Sequence, residues 1–158
     1  MESKIQNKLD FHGFGFPITL RNVPMIKVQG KWAPDINLDA LADQVLEDVA
    51  QKKGRLTGLE IRFIRLSLEM TIDEFAKRFV VTRHAVMKWE KAGADETGMQ
   101  WATEKDIRLE AIHSRIESGA NKCREFVEVF GALSKGPVPT RRPRRLRPVD
   151  IADLAGIH

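Results

Sequence analysis

Apolar residues recur at helical spacing along most of this chain. The clearest case is the stretch 71–92, TIDEFAKRFVVTRHAVMKWEKA. Ile72, Phe75, Ala76 and Phe79 fall on one face of a helix. Thr71 and Glu74 have the spacing of a capping box, in which a hydroxyl and a carboxylate satisfy free N–H groups at a helix start. A second start is predicted at Thr82, a good N-cap residue. Each residue then advances the helix by about 100°, so Ala85, Val86 and Trp89 point one way while His84, Met87, Lys88 and Lys91 point the other. Two short helices joined by a tight turn can set the second helix in the major groove of DNA. The apolar side docks on the first helix, and the other side carries donors and one flexible apolar group. Two amphipathic helices with a solvated basic face have the same periodicity, so spacing alone leaves both readings open.

Upstream, Leu38, Leu41, Val45 and Val49 predict an amphipathic helix that begins at Asp35 and ends near Lys52 and Lys53, with Gly54 as C-cap. The run Arg55-Leu56-Thr57-Gly58 reads as a hinge, and Thr57 can cap a helix over 59–69 whose Ile61, Ile64 and Leu68 face inward. GADETGM, residues 93–99, is a loop. Thr103 starts a helix on which Leu109, Ile112 and Ile116 share a face. A further helix over 120–133 presents Phe126, Val127, Phe130 and Leu133, a face that either closes the core or forms a dimer seam.

Before the first helix, residues 14–32 offer short β-prone pieces at 18–20 and 25–28. Pro17, Pro24 and Gly30 break them, and Gln29-Gly30 is a turn. Residues 1–12 carry no strong pattern and are expected to be loose. At the other end, Pro137, Pro139, Pro143 and Pro148 rule out a helix, so this tail is expected to be extended or disordered. It is read as a solvated linker, an arm that follows phosphates or a minor groove, or a segment that orders on a protein partner. Residues 150–155, DIADLA, can form a short terminal helix. The expected fold is mainly α: a small N-terminal α+β unit over 1–54, a lambda-repressor-like helix-turn-helix domain over 55–133 and a basic Pro/Arg-rich tail over 134–158.

Composition narrows the class. A length of 158 residues with 42% hydrophobic residues suits one or two small globular domains. No apolar run approaches the roughly 18 residues of a membrane helix. The first residues lack a basic region followed by an apolar core, so no signal peptide is expected. One cysteine, Cys123, cannot make an internal disulfide, and His12, His84, His113 and His158 are scattered. A cytoplasmic protein without metal or cofactor is expected. Up to residue 134 basic and acidic side chains balance, and the net charge of +4 comes from the tail.

Enzyme chemistry is not expected. The chain has no GxGxxG, P-loop, GxSxG or HExxH. Cys123 and His113 make a weak pair, Cys123 reading better as a small core residue. Asp95 and Glu96 look like ordinary turn chemistry.

Finer spacing carries a resemblance. The small Ala76 lets two helices approach closely, Val86 follows ten residues on, and Trp89-Glu90 ends the second helix. This resembles the helix-turn-helix of the Xre/Cro repressor family, and LTGLEIRFIRLSLEM upstream looks like that family's first helix. The resemblance implies a sequence-specific repressor that binds double-stranded DNA as a homodimer on a palindromic operator. Thr82, Arg83, His84, Met87, Lys88 and Lys91 would face the DNA. The family's base-reading positions map onto His84 and Lys88, where Asn and Arg are typical; Arg83 and Lys91 would hold phosphates. Two positions depart from the pattern. Ile72 stands where the family often has a phosphate-contacting Gln, and Val80 where it often has Gly in the turn. A β-branched residue is poorly suited to positive φ, so the turn is expected to be built differently.

Over residues 22–116, which include Asn22-Val23-Pro24, the order of parts resembles the MqsA-type antitoxins. In that family an N-terminal domain binds zinc through CxxC pairs and contacts a toxin, while the C-terminal domain dimerises and represses its own promoter. This chain has no CxxC, so no zinc is expected, and a toxin partner is implied by the resemblance alone. The alternative reading is a protein-interaction module that uses the helix-turn-helix scaffold and basic tail to bind a partner protein. Ile72, Val80 and the balanced charge of the body favour it.

Overall fold

The structure, a computed structural model, describes residues 2–115 and 120–154; Ile116, His158 and the side chain of Cys123 lie outside the described residues. Backbone contacts divide the chain into two units. One gathers the chain up to Val45 and again from Arg145 onward, and the other runs from Leu46 to Arg144.

The first unit is built on a mixed sheet. Strand β1 (Ser3–Phe11) pairs antiparallel with β2 (Ile18–Val28), in register from Ser3↔Ile26 to Phe11↔Ile18. Strand β3 (Lys31–Pro34) pairs with the far end of β2. Between them Gln29 and Gly30 have φ of 50° and 78°, the positive values that a two-residue type I′ hairpin turn requires. The chain returns at its other end, where β4 (Val149–Asp150) pairs in parallel with β2 through Leu20↔Val149 and Arg21↔Asp150. A last helix, α7 (Ile151–Leu154), follows with Ile151 and Leu154 buried.

Within β2 the buried side shifts by one residue, from Ile18 and Leu20 to Val23 and Met25. Strict alternation would have turned the second pair outward. The shift falls at Asn22, whose φ of 54° lies in the left-handed region and whose side-chain amide donates to Asp150 Oδ2 at 2.9 Å.

The second unit is helical. Helix α1 (Leu38–Gln51) begins three residues later than expected, with the Asn37 side chain accepting from the Ala40 N–H, and Leu38 is exposed. The boundary between the two units falls within this helix, after Val45, and Leu41, Val45, Leu46, Val49 and Ala50 are all buried. Helices α2 (Gly58–Ser67), α3 (Ile72–Arg78), α4 (Arg83–Lys91), α5 (Trp101–His113) and α6 (Ala120–Ser134) follow. Leu56, Ile61, Ile64, Phe75, Val86, Ile107 and Ala111 are fully buried and form the centre.

The mainly α expectation is overturned. The fold is α+β: among the described residues, seven helices accompany a four-stranded mixed sheet. Residues 3–11 are a full strand rather than a loose end, and β2 runs straight through Pro24, whose carbonyl accepts from Asp35 N–H at 2.7 Å. Proline removes a donor but leaves the acceptor, so one ladder bond is lost and the strand continues.

Two helices also differ in which face is buried. Helix α5 starts at Trp101, two residues before Thr103, and buries Glu104 and Arg108 beside Ile107, Ala111 and Ile112, while Leu109 is only half-buried. Helix α6 turns Val129 and Leu133 inward and leaves Val127 and Phe130 exposed.

Candidate nucleic-acid interface

The three helices α2, α3 and α4 each begin on a threonine. Thr57, Thr71 and Thr82 accept from the N–H groups of Glu60, Glu74 and Ala85, and the first two complete capping boxes with Glu60 and Glu74. The Thr71 backbone N–H and hydroxyl hold the Glu74 carboxyl below its ordinary range. Helices α2 and α3 end alike, each on a residue at positive φ followed by a hydrogen bond back to the last turn: Glu69 (φ 56°) with Met70 N–H to Arg65 O, and Val80 (φ 56°) with Val81 N–H to Ala76 O. These are Schellman closures, which favour glycine at the left-handed position. The turn at Val80 therefore keeps the left-handed geometry despite its β-branched side chain, contrary to expectation. The side chain is 90% exposed, so nothing but the turn itself holds it there.

Helix α4 separates its faces. Val86 is fully buried and Trp89 is buried, while Thr82, Arg83, His84, Met87, Lys88 and Lys91 are all exposed. The arrangement brings the six predicted residues onto one outward surface. Among the described residues no side-chain partner engages His84, Met87, Lys88 or Lys91. Arg83 is engaged: its Nη1 lies 2.9 Å from Asp73 Oδ1, and both side chains are more than half exposed. Ile72 is half-buried and offers no hydrogen-bonding group where a phosphate contact is expected.

The aim of α4 is fixed from behind. Arg65 on α2 grips Glu90 with Nη2 at 2.9 Å and Nε at 3.2 Å, and both side chains are nearly buried. The α2 N-terminus meets the chain just past α4: Gly58 N–H and Leu59 N–H donate to Asp95 O and Gly93 O. Gly58 allows this approach, since a β-carbon there would run into the Trp89 carbonyl oxygen and stand 2.7 Å from Gly93 N. On α3, Arg78 is held by Glu110 at 2.9 Å and Asp106 at 3.3 Å; the Glu110 hydrogen bond is the main reason its pKa rises.

A buried ionic cluster supports the same unit. Arg108 donates to Glu104 Oε2 at 2.8 Å, to the carbonyl of Ala50 in the last turn of α1 and to those of Lys52 and Gly54 just beyond it. Glu104 also accepts from Arg55 at 3.0 Å and from Leu56 N–H, and Lys52 Nζ meets Glu60 at 2.7 Å. Burial lowers the Arg108 pKa, opposed chiefly by Glu104. The negative end of the α1 dipole supplies what the two carboxylates leave uncompensated.

Sequence patterning missed Gly58, Glu60, the Arg65–Glu90 clasp and this cluster. The glycine directly after a capping threonine was a usable signal for the first; charged residues at inward positions gave none. Among the described residues, no group of three or more His, Cys, Asp or Glu is placed to hold a metal ion, and no helix is long and apolar enough to cross a membrane. No protein-family model, curated protein or solved structure matches this chain.

Proposed function

We propose that this protein is a sequence-specific binder of double-stranded DNA, a transcriptional repressor acting as a homodimer on a palindromic operator. The observation that carries the reading is the outward face of α4. His84 and Lys88 offer unengaged donors there, Met87 is an adaptable apolar group, and Val86 and Trp89 hold the opposite face in the core. Donors on an exposed helix face can read the major-groove edges of bases. Lys91, with Arg83 at the other end of the helix, holds phosphates and sets the register. A dimer sets two such helices about 34 Å apart, one turn of B-DNA. In the finer form of the proposal the operator lies in the protein's own promoter and the neighbouring gene encodes a toxin that this chain neutralises.

A second reading has its own support. Arg83 already has a carboxylate partner, and Val127 and Phe130 stand exposed on α6. Both suit a module that binds a protein, with the helix-turn-helix as scaffold.

One experiment separates the two. Binding of the purified protein to DNA from upstream of its own gene is compared with binding to random duplex at two salt concentrations. Preference for the upstream fragment that survives moderate salt supports the repressor. Weak binding to both fragments, erased by salt, sinks it in favour of the interaction module.

A further inference from the structure

We propose that the arginine-rich segment 135–148 is a pinned strap that grips the phosphate backbone of duplex DNA, a contact separate from α4. The inference deepens the DNA-binding reading and rests on it for the identity of the polyanion.

The segment holds Lys135, Arg141, Arg142, Arg144, Arg145 and Arg147 and no acid, and it carries the charge excess of a chain otherwise balanced up to residue 134. All five arginines are exposed. Arg145 is engaged by Asp10 at 3.8 Å and Thr19 at 3.4 Å. Arg141, Arg142, Arg144 and Arg147 have no side-chain partner among the described residues.

A basic tail of this composition would ordinarily be a floppy, solvated run. This one is held at both ends. In the helical unit, Thr140 lodges against Gly54, where an added β-carbon would stand 2.6 Å from its hydroxyl, and that hydroxyl donates to Arg142 O at 3.0 Å. In the sheet unit, Val149 and Asp150 join β2, Asp150 accepts from Asn22, and Val149, Ile151 and Leu154 are buried. Pro137, Pro139, Pro143 and Pro148 fix φ at intervals through the run. Each anchor lies within its own unit, and the prolines restrict the backbone between them, which lowers the cost of ordering the segment on a partner.

The chemistry favours nucleic acid. Guanidinium forks match phosphate oxygens in pairs, and a series of them along an extended chain suits a series of phosphates. A membrane surface is the poorer fit, because residues 135–148 contain no aromatic side chain and no amphipathic helix to enter a bilayer.

The test compares the full-length chain with a variant carrying Arg141→Gln, Arg142→Gln, Arg144→Gln and Arg147→Gln, which leaves every pinning residue in place. Affinity for random duplex DNA is measured across a salt series. Each phosphate contact contributes about 0.9 to the slope of log K against log salt, so losing four contacts should make the slope shallower by about 3.6. A fourfold Arg→Lys variant with the wild-type slope would show that charge, not packing, is read. The His84→Ala/Lys88→Ala variant should lose preference for the upstream fragment while keeping its random-duplex slope. If the wild type prefers no sequence, yet its duplex binding still needs the four arginines, the repressor reading fails and the strap stands. If the glutamine variant melts like the wild type and keeps both affinity and slope, the strap proposal is overturned. Loss of binding to phosphatidylserine vesicles with duplex binding intact would overturn it as well.

Discussion

Gly58 packs its α-carbon against the backbone carbonyl of Trp89. A β-carbon there would also stand 2.9 Å from the Glu90 oxygen, so the obstacle is backbone on every side. Side chains can rotate away from an added methyl group, but two helix termini joined by hydrogen bonds cannot. Gly58→Ala should therefore destabilise the helical unit by about 3 kcal/mol, the upper part of the range for overpacking. Urea unfolding of the full-length protein checks this. A midpoint equal to wild type would mean that α2 and α4 do not meet as closely as described.

Val80 tests the turn from the opposite side. A non-glycine residue in the left-handed region costs roughly 1–2 kcal/mol, and a side chain 90% exposed returns no packing energy. Glycine relieves that strain but gains freedom in the unfolded chain, which offsets about half of the benefit. Val80→Gly should stabilise the protein by about 0.5–1 kcal/mol and raise Tm by a few degrees. A fall in Tm would show that Val80 is not at positive φ.

Glu104 and Arg108 are both fully buried, and the carboxylate gathers Arg108, Arg55 and the Leu56 N–H. Removing it strands a guanidinium in the core. Glu104→Leu should cost about 3–5 kcal/mol, the usual penalty for breaking a buried pair from one side. Thermal melts of Glu104→Leu and of the double change Glu104→Leu/Arg108→Met measure this. The double variant should be the more stable of the two; if it is the less stable, the cost does not come from an uncompensated charge.

Local chemistry was the legible part of this fold. Thr57, Thr71 and Thr82 announce helix starts because a cap needs only three or four adjacent residues, and the two faces of α4 follow from its own spacing. The sheet was not legible for the same reason inverted. Strand β1 is stabilised by backbone bonds to β2 rather than by burial, and Ile5 in its middle is 70% exposed, so no alternation marks it. Pro24, read as a break, and the one-residue shift of the buried side at Asn22 made one strand look like two pieces. The return of β4 depends on a partner 128 residues away in the chain. The charged cluster was missed for a different reason. Sequence patterning assigned Glu104 and Arg108 no place, because only their mutual contact makes burying them tolerable.

Lys88 is the residue on which sequence preference is proposed to depend. It is exposed, and among the described residues its side chain has no hydrogen-bond or ion-pair partner, so its loss should leave stability within about 0.5 kcal/mol. Lys88→Ala should weaken binding to the preferred fragment by about 1–3 kcal/mol and bring it closer to random duplex. A variant that binds every fragment more weakly in equal proportion would reassign Lys88 from base to phosphate contact.

Asp73 is proposed to restrain the DNA-binding face. Its carboxylate occupies Arg83 at 2.9 Å, in a pair so exposed that its contribution to stability is at most about 1 kcal/mol. Near DNA the same carboxylate repels phosphate and competes with it for the guanidinium. Asp73→Asn removes the charge while keeping size and hydrogen-bonding capacity. Affinity for duplex should rise, and the slope of log K against log salt should steepen by about 0.9 as Arg83 takes a phosphate. The same series on Asp73→Asn/Arg83→Gln should cancel the steepening. If Asp73→Asn alone leaves the slope unchanged, Arg83 lies off the phosphate path, and the contact surface begins further along α4, at His84.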